Sequence, residues 1–201
     1  MEFFVETLVK HPDNNYLVSC PSLSPENWYK VGDNPKSWDS KRYSEGSVST
    51  ICAGPTMDNQ ILRYLFDTCI KASVILDTDE ELRAKLNKIS PQLPPNKIGQ
   101  HGQLQEWMQD WDLPSDNHRH FSHLWGMFTG TEISVEDTEK QANAVAQSLK
   151  YRTEAGTGFG QAWQVCLWAR SYKPATAHRL LRRYVKSGDR GRSSKFYNLS
   201  L

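Results

Sequence analysis

Residues Met57–Leu76, MDNQILRYLFDTCIKASVIL, decide the fold class. Apolar side chains at Ile61, Leu62, Leu65, Phe66, Cys69, Ile70, Ala72, Val74 and Ile75 recur at three-to-four spacing, the period of an α-helix. They cover more than a narrow stripe, so the spacing predicts a helix buried over a wide face. Downstream, Thr78–Ile89 opens with Asp79-Glu80-Glu81, where acidic groups favour the positive end of a helix dipole, and stops before Pro91. Gly99–Asp110, carrying Leu104, Trp107 and Met108, is a short helix candidate. Ser134-Val135-Glu136-Asp137 has the form of a capping box with Asp in the last place, and predicts a helix to Tyr151. Phe159–Tyr172 is the next, and Pro174 sits at the start of a last one running to Val185. Upstream, Met1–Lys10 reads as the last turns of a helix whose beginning is missing. His11–Pro55 reads as a long ordered loop, because Tyr16, Trp28, Tyr29, Trp38 and Tyr43 need apolar cover.

Helix alternates with loop and almost no strand pattern occurs, so the expected class is all-α. Paired helices joined by loops build a bundle, a solenoid or a closed toroid. No internal repeat of fixed period supports a solenoid. The loops exceed the roughly 2 to 8 residues that connect bundle helices. Long loops rich in aromatic and ionisable groups suit the rim of a central cavity, which favours the toroid.

Composition removes other classes. With 24 Lys+Arg against 23 Asp+Glu the net charge is +1, so no global field draws the chain to nucleic acid or to an anionic membrane. No apolar run approaches the roughly 18 to 20 residues that span a bilayer. The N-terminus lacks the basic start, apolar stretch and small-residue cleavage site of a signal peptide. Cys20, Cys52, Cys69 and Cys166 form no Cys-x-x-Cys pair, which excludes a zinc ribbon or a thioredoxin-type site and leaves disulfides open. The 7 Trp, 8 Tyr and 7 Phe exceed what a core needs, so some rings are expected to face a ligand.

Four constellations bear on chemistry. In Pro21-Ser22-Leu23-Ser24-Pro25-Glu26-Asn27-Trp28 two prolines stiffen the backbone, so Glu26 is held in one direction beside an amide and an indole. An apolar ring next to a carboxyl keeps it protonated, as a general acid requires. The alternative is that Ser24 caps a helix with Pro25 in its first position. Asp116-Asn117-His118-Arg119-His120-Phe121-Ser122-His123 offers three imidazoles that fit a metal, a polar ligand such as a sugar, or a buried hydrogen-bond network. Gly99-Gln100-His101-Gly102-Gln103-Leu104-Gln105-Glu106-Trp107 combines amides and an indole suited to hydroxyl recognition, while Glu106 is equally a plain partner for Arg119. Gly156-Thr157-Gly158-Phe159-Gly160 is like a phosphate loop only superficially, since no Lys-Ser/Thr follows and no strand precedes it.

Taken in order, Ser24-Pro25-Glu26-Asn27, Met57-Asp58-Asn59-Gln60-Ile61, Gly99 to Trp107, His118 to Leu124 and Gly156 to Trp163 resemble glycoside hydrolase family 95, the inverting α-L-fucosidases and related α-L-galactosidases. The resemblance covers the chain from Tyr16 to Leu181. It implies an (α/α)6 toroid that removes terminal α-1,2-linked L-fucose from glycans, with a fucosylated oligosaccharide or a plant cell-wall glycan such as xyloglucan as partner. It implies Glu26 as the general acid. His118 and His120 would bind the sugar, with Arg119, His123, Asn27 and Trp163 as further binding candidates. It implies no metal and no organic cofactor, and enzymes of this kind often act outside the cell.

The departures are as informative. Inversion needs a second group on the opposite face of the sugar, with the two carboxyls roughly 6.5 to 9.5 Å apart to admit water. The family's Asn-x-Asn and Asp-Gly-Asn-Phe-Gly blocks, which serve the water, do not occur in this sequence. Twelve helices close such a toroid and about half are legible here. The expected organisation is therefore a partial catalytic domain over residues 1–185, followed by a basic, disordered, non-family tail over 186–201. That tail contains the acceptor triplet Asn198-Leu199-Ser200. The expectation is a fucosidase fragment, catalytically incomplete alone; a non-hydrolytic carbohydrate-binding remnant and an α-L-galactosidase are the alternatives.

Overall fold

The computed structural model describes residues 1–30, 48–152, 154 and 157–186. Trp38, Tyr43, Gly156, the tail from 187 onward and the Asn198-Leu199-Ser200 triplet lie outside the described residues. The chain forms two compact units: Met1–Lys97 with Gln105–Trp111, and Ile98–Leu104 with the chain from Asp112. Both are built mainly of helices, as expected, and no helix among the described residues is long and apolar enough to cross a membrane.

The first unit holds α1 (Glu2–Thr7), α2 (Thr56–Ile75) and α3 (Glu80–Ile89). The apolar positions of α2 place Leu62 and Phe66 in a core with Leu86 and Leu93, flanked by Val5, Leu8, Ile70 and Leu82. Asp77 ends α2 by taking a left-handed φ of 51°, which Asp tolerates better than most residues. The Thr78 N–H then returns to the Ser73 carbonyl at 3.1 Å, so the terminal carbonyls are satisfied and the chain reverses into α3.

The loop between α1 and α2 is tied by three antiparallel two-residue pairings that the sequence pattern did not announce. Strand β1 (Val9–Lys10) meets β2 (Leu17–Val18), β3 (Ser22–Leu23) meets β6 (Ile51–Cys52), and β4 (Tyr29–Lys30) meets β5 (Val48–Ser49). Pieces this short carry no alternation to read. Tyr29 stacks on Trp111 at 4.0 Å and meets Trp107 edge-on at 5.5 Å, and its hydroxyl donates to the Ile51 carbonyl. Tyr29 thus has the cover expected of the loop's rings, whereas Trp28 is 54% exposed.

The second unit holds α4 (Glu139–Tyr151), α5 (Gly158–Arg170) and α6 (Pro174–Lys186) around Leu104, Phe121, Leu124, Met127, Ile133, Val145, Leu149 and Leu167. Between α5 and α6, Tyr172 takes φ 55° and the Lys173 N–H returns to the Trp168 carbonyl at 3.0 Å, the same reversal as after α2. Helix α4 starts later than the capping-box pattern suggests. The Asp137 N–H donates to Ser134 Oγ at 2.9 Å as a box requires, but Ser134 N–H donates to Thr138 Oγ1, closing a separate turn ahead of the helix.

The helix expected over Gly99–Asp110 does not form. Gly99 N–H donates to the Gln103 carbonyl and Gly102 N–H to Gly99, and Gly102 takes φ 78°, a conformation glycine adopts without penalty. Leu104 enters the second unit's core and Trp107 the first's, so the apolar residues of this block serve no common helical face.

Candidate active site

In the first unit, Ser24-Pro25-Glu26-Asn27 forms a tight turn, with Asn27 N–H donating to the Ser24 carbonyl at 2.7 Å. The peptide bond between Pro25 and Glu26 is cis, as is that between Cys20 and Pro21. The helix start that was the alternative for this block is not formed. The turn is anchored on a buried carboxylate far along the chain. Ser24 Oγ donates to Glu106 Oε1 at 2.6 Å, and Asn27 Nδ2 donates to Glu106 Oε2 at 3.0 Å. Glu106 is 2% exposed.

Its neighbours are fixed too. The Thr56 N–H donates to the Glu106 carbonyl at 3.0 Å, Thr56 Oγ1 to the Gln105 carbonyl at 2.6 Å, and Gln105 N–H to Lys97 at 2.9 Å. A second carboxylate secures the approach to the turn, since Ser19 Oγ and Ser22 Oγ both donate to Asp58 Oδ2 at 2.6 Å. In the same block, Asn59 Nδ2 donates to the Gly54 carbonyl and Gln60 Nε2 to Asn96 Oδ1. The Met57-Asp58-Asn59-Gln60 stretch is therefore the polar start of α2, used to hold loops.

The residue between the anchors points outward. Glu26 is exposed and so is Trp28, so the apolar enclosure read from that indole is not formed among the described residues of this unit. Asn27 is buried, with its Oδ1 accepting from the Trp28 N–H and its Nδ2 committed to Glu106. Cys52 lies near the same carboxylates. Burial, and then the Asp58 and Glu106 charges, push its thiol up to about 12.

In the second unit, the histidine segment is an irregular loop ending in a short 3-10 turn at Ser122–Leu124. Asp116 Oδ1 accepts from His118 N–H at 2.9 Å, and His118 Nδ1 accepts from His120 N–H at 3.3 Å. The His118 and His120 rings lie 5.2 Å apart, His120 is 6.4 Å from Phe159, and Phe159 is 5.7 Å from Trp163. Phe159, 47% exposed, makes this row an accessible aromatic surface. Arg119 is half-buried, and its carbonyl meets the start of α5. Gly158-Phe159-Gly160 is that helix start, with Thr157 Oγ1 accepting from the Gly160 N–H at 3.3 Å.

His123 stands apart from the other imidazoles in environment. It is 1% exposed and lines a water-sized polar cleft with Gln103, Asp112, Asp116, Ser148 and Arg152. Arg152 Nη1 lies 2.8 Å from Asp116 Oδ2 there. Among the described residues, neither His118 nor His120 belongs to a trio of His, Cys, Asp or Glu side chains close enough to share a cation. Sequence reading missed the anchoring by Glu106 and the pairing of Arg152 with Asp116. The Asp-x-His turn, however, is a local signal that was available.

The chain belongs to the glycosyl hydrolase family 95 catalytic domain family, whose sequence model matches residues 1–200. It is 33% identical over 180 residues to Alpha-L-fucosidase 2 of Arabidopsis thaliana, covering 89% of this chain and 20% of that protein. It is 32% identical over 124 residues to Probable alpha-fucosidase A of Aspergillus niger, covering 58% of this chain and 16% of that protein. A similar protein of Aspergillus oryzae, also Probable alpha-fucosidase A, is 30% identical over 145 residues. The chain thus spans about a fifth of the length of the curated relatives it matches.

Proposed function

We propose that the chain is part of an (α/α)6 catalytic domain of an inverting α-L-fucosidase, acting on terminal α-1,2-linked L-fucose of an oligosaccharide or plant cell-wall glycan. Glu26 is the general acid that protonates the departing glycosidic oxygen. The observation that carries this reading is the turn at Ser24–Asn27, whose buried anchors on Glu106 leave Glu26 presented outward. A proton donor must be held in one place relative to the bond it cleaves, and two hydrogen bonds flanking a single exposed carboxyl supply that constraint.

The sugar is met by His118 and His120, with Arg119 nearby. Phe159 and Trp163 offer the flat apolar surface that packs on a pyranose ring. Asn27 contributes by holding the turn, and His123, buried, contributes from the small polar cleft it lines. The motifs that carry this reading lie within residues 1–185, and the family match runs on to residue 200. No cofactor is required by this chemistry, and neither nucleic acid nor membrane is a partner.

The water-activating half of the inverting pair is supplied by the Asn-x-Asn and Asp-Gly-Asn-Phe-Gly blocks that this sequence lacks, so the 201-residue chain is expected to turn over little or no substrate alone. A purified sample assayed on 2′-fucosyllactose tests this. Robust release of fucose that Glu26→Gln abolishes would confirm the acid and overturn the incompleteness. Robust release that survives Glu26→Gln would remove Glu26 from the mechanism. The second reading, a carbohydrate-binding remnant, is favoured by the exposed ring row and predicts L-fucose binding without hydrolysis.

A further inference from the structure

We propose that Arg152 and Asp116 are positioning residues that set the tautomer of His118, so that its ring offers an Nε2–H donor to a sugar hydroxyl. The geometry forms a chain of three links within the second unit. Arg152, at the C-terminal end of α4, has a side chain 4% exposed and places Nη1 2.8 Å from Asp116 Oδ2. The other oxygen of Asp116 accepts the His118 N–H at 2.9 Å, which fixes the backbone of the turn. The turn in turn brings His120 N–H to His118 Nδ1 at 3.3 Å. A backbone N–H is always a donor, so Nδ1 must accept, and the neutral ring carries its proton on Nε2.

Each link is rigid for a physical reason. A guanidinium so buried needs a carboxylate partner, because removing it from water is costly unless it is paired. The ion pair is made to one oxygen of Asp116, which leaves the other for the turn. Asp116 N–H donates to the Leu113 carbonyl at 2.9 Å, which ties the aspartate's main chain into the loop. The cleft at this pair is too small for a pyranose and is lined by Gln103, Asp112, His123 and Ser148. The pair therefore acts on a sugar only through His118. A fixed donor distinguishes a hydroxyl oriented as acceptor from one that is not, which gives the loop a selective contact.

The sugar contact rests on the reading above, whereas the tautomer does not, and the test separates them. Long-range ¹H–¹⁵N spectra of the 201-residue chain at about pH 8, above the usual imidazole range, read the protonated nitrogen of His118 directly. The wild type is expected to show Nε2–H alone. Asp116→Ala and Arg152→Met are expected to give a mixture of tautomers. Arg152→Lys is expected to restore most of the Nε2–H form, and Asp116→Asn, which keeps an acceptor for the His118 N–H, to retain it. An Nδ1–H ring in the wild type, or an unchanged ring in folded Asp116→Ala, overturns the proposal. If Asp116→Ala does not fold, a mixed ring in Asp116→Asn overturns it. Titration with L-fucose forms the second arm. Loss of one correctly placed donor is expected to weaken binding by about tenfold in Asp116→Ala. A wild type of the expected tautomer that binds no L-fucose overturns the sugar contact and leaves the positioning pair standing.

Discussion

Gly160 lies so close to Arg119 that a Cβ on the glycine would overlap the Arg119 carbonyl oxygen. The first turn of α5 and the histidine loop are therefore in backbone contact. The obstacle is a main-chain oxygen, which cannot swing away as a side chain would. Gly160→Ala is expected to destabilise the second unit by about 1–3 kcal/mol, the usual cost of overpacking. Urea unfolding followed by far-UV circular dichroism measures it. A loss below about 0.5 kcal/mol would mean that the loop yields without cost.

The anchoring of the Glu26 turn is expected to appear as coupling between residues far apart in sequence. Ser24→Ala leaves Glu106 Oε1 without its hydroxyl donor, a loss of about 1–3 kcal/mol for a buried acceptor. Glu106→Gln perturbs the Ser24 and Asn27 bonds together. In a double-mutant cycle the two substitutions should couple by about 0.5–3 kcal/mol. Strict additivity in denaturant midpoints would show that the hydrogen bond at 2.6 Å contributes nothing to the turn.

Cys52 is expected to resist alkylation. Its thiol is pushed up to about 12 by burial and by the Asp58 and Glu106 carboxylates, and the thiolate is the reactive form. At pH 8 the folded protein therefore holds far less Cys52 thiolate than the unfolded chain. Iodoacetamide labelling read by mass spectrometry should modify exposed Cys20 well before Cys52. The sign of the linkage follows. A thiol pKa raised above its unfolded value of 9.0 contributes stability that is complete below pH 9 and is lost as pH climbs toward 12. Equal labelling of the two cysteines in the native protein would contradict the raised thiol at partly buried Cys52.

The long helices were legible because their apolar positions repeat. Thr56–Ile75 and Pro174–Lys186 lie within a residue of the spans read from periodicity and from Pro174. Gly99–Asp110 misled because Leu104, Trp107 and Met108 mimic helical spacing, while Gly99 and Gly102 permit a turn that buries them separately. The two-residue strands are below the length at which alternation exists. The order of motifs singled out Glu26 and the imidazoles as candidates, and the local Asp-x-His spacing encoded the turn at His118. Glu106 was noticed as an ionisable group, yet its partners Ser24 and Asn27 lie 82 and 79 residues away, and no local pattern encodes a contact at that separation. Arg152 escaped for the same reason, since a cation at a helix end ordinarily reads as dipole compensation.

The anchored turn also constrains protein engineering. Transplanting the tetrapeptide Ser24–Asn27 onto another scaffold would carry over the acid without its foundation, because both flanking side chains need a sequestered carboxylate opposite them. A graft that omits the counterpart of Glu106 would bury two orphaned polar groups and let the glutamate wander, so the minimal portable unit is two distant peptides and not one.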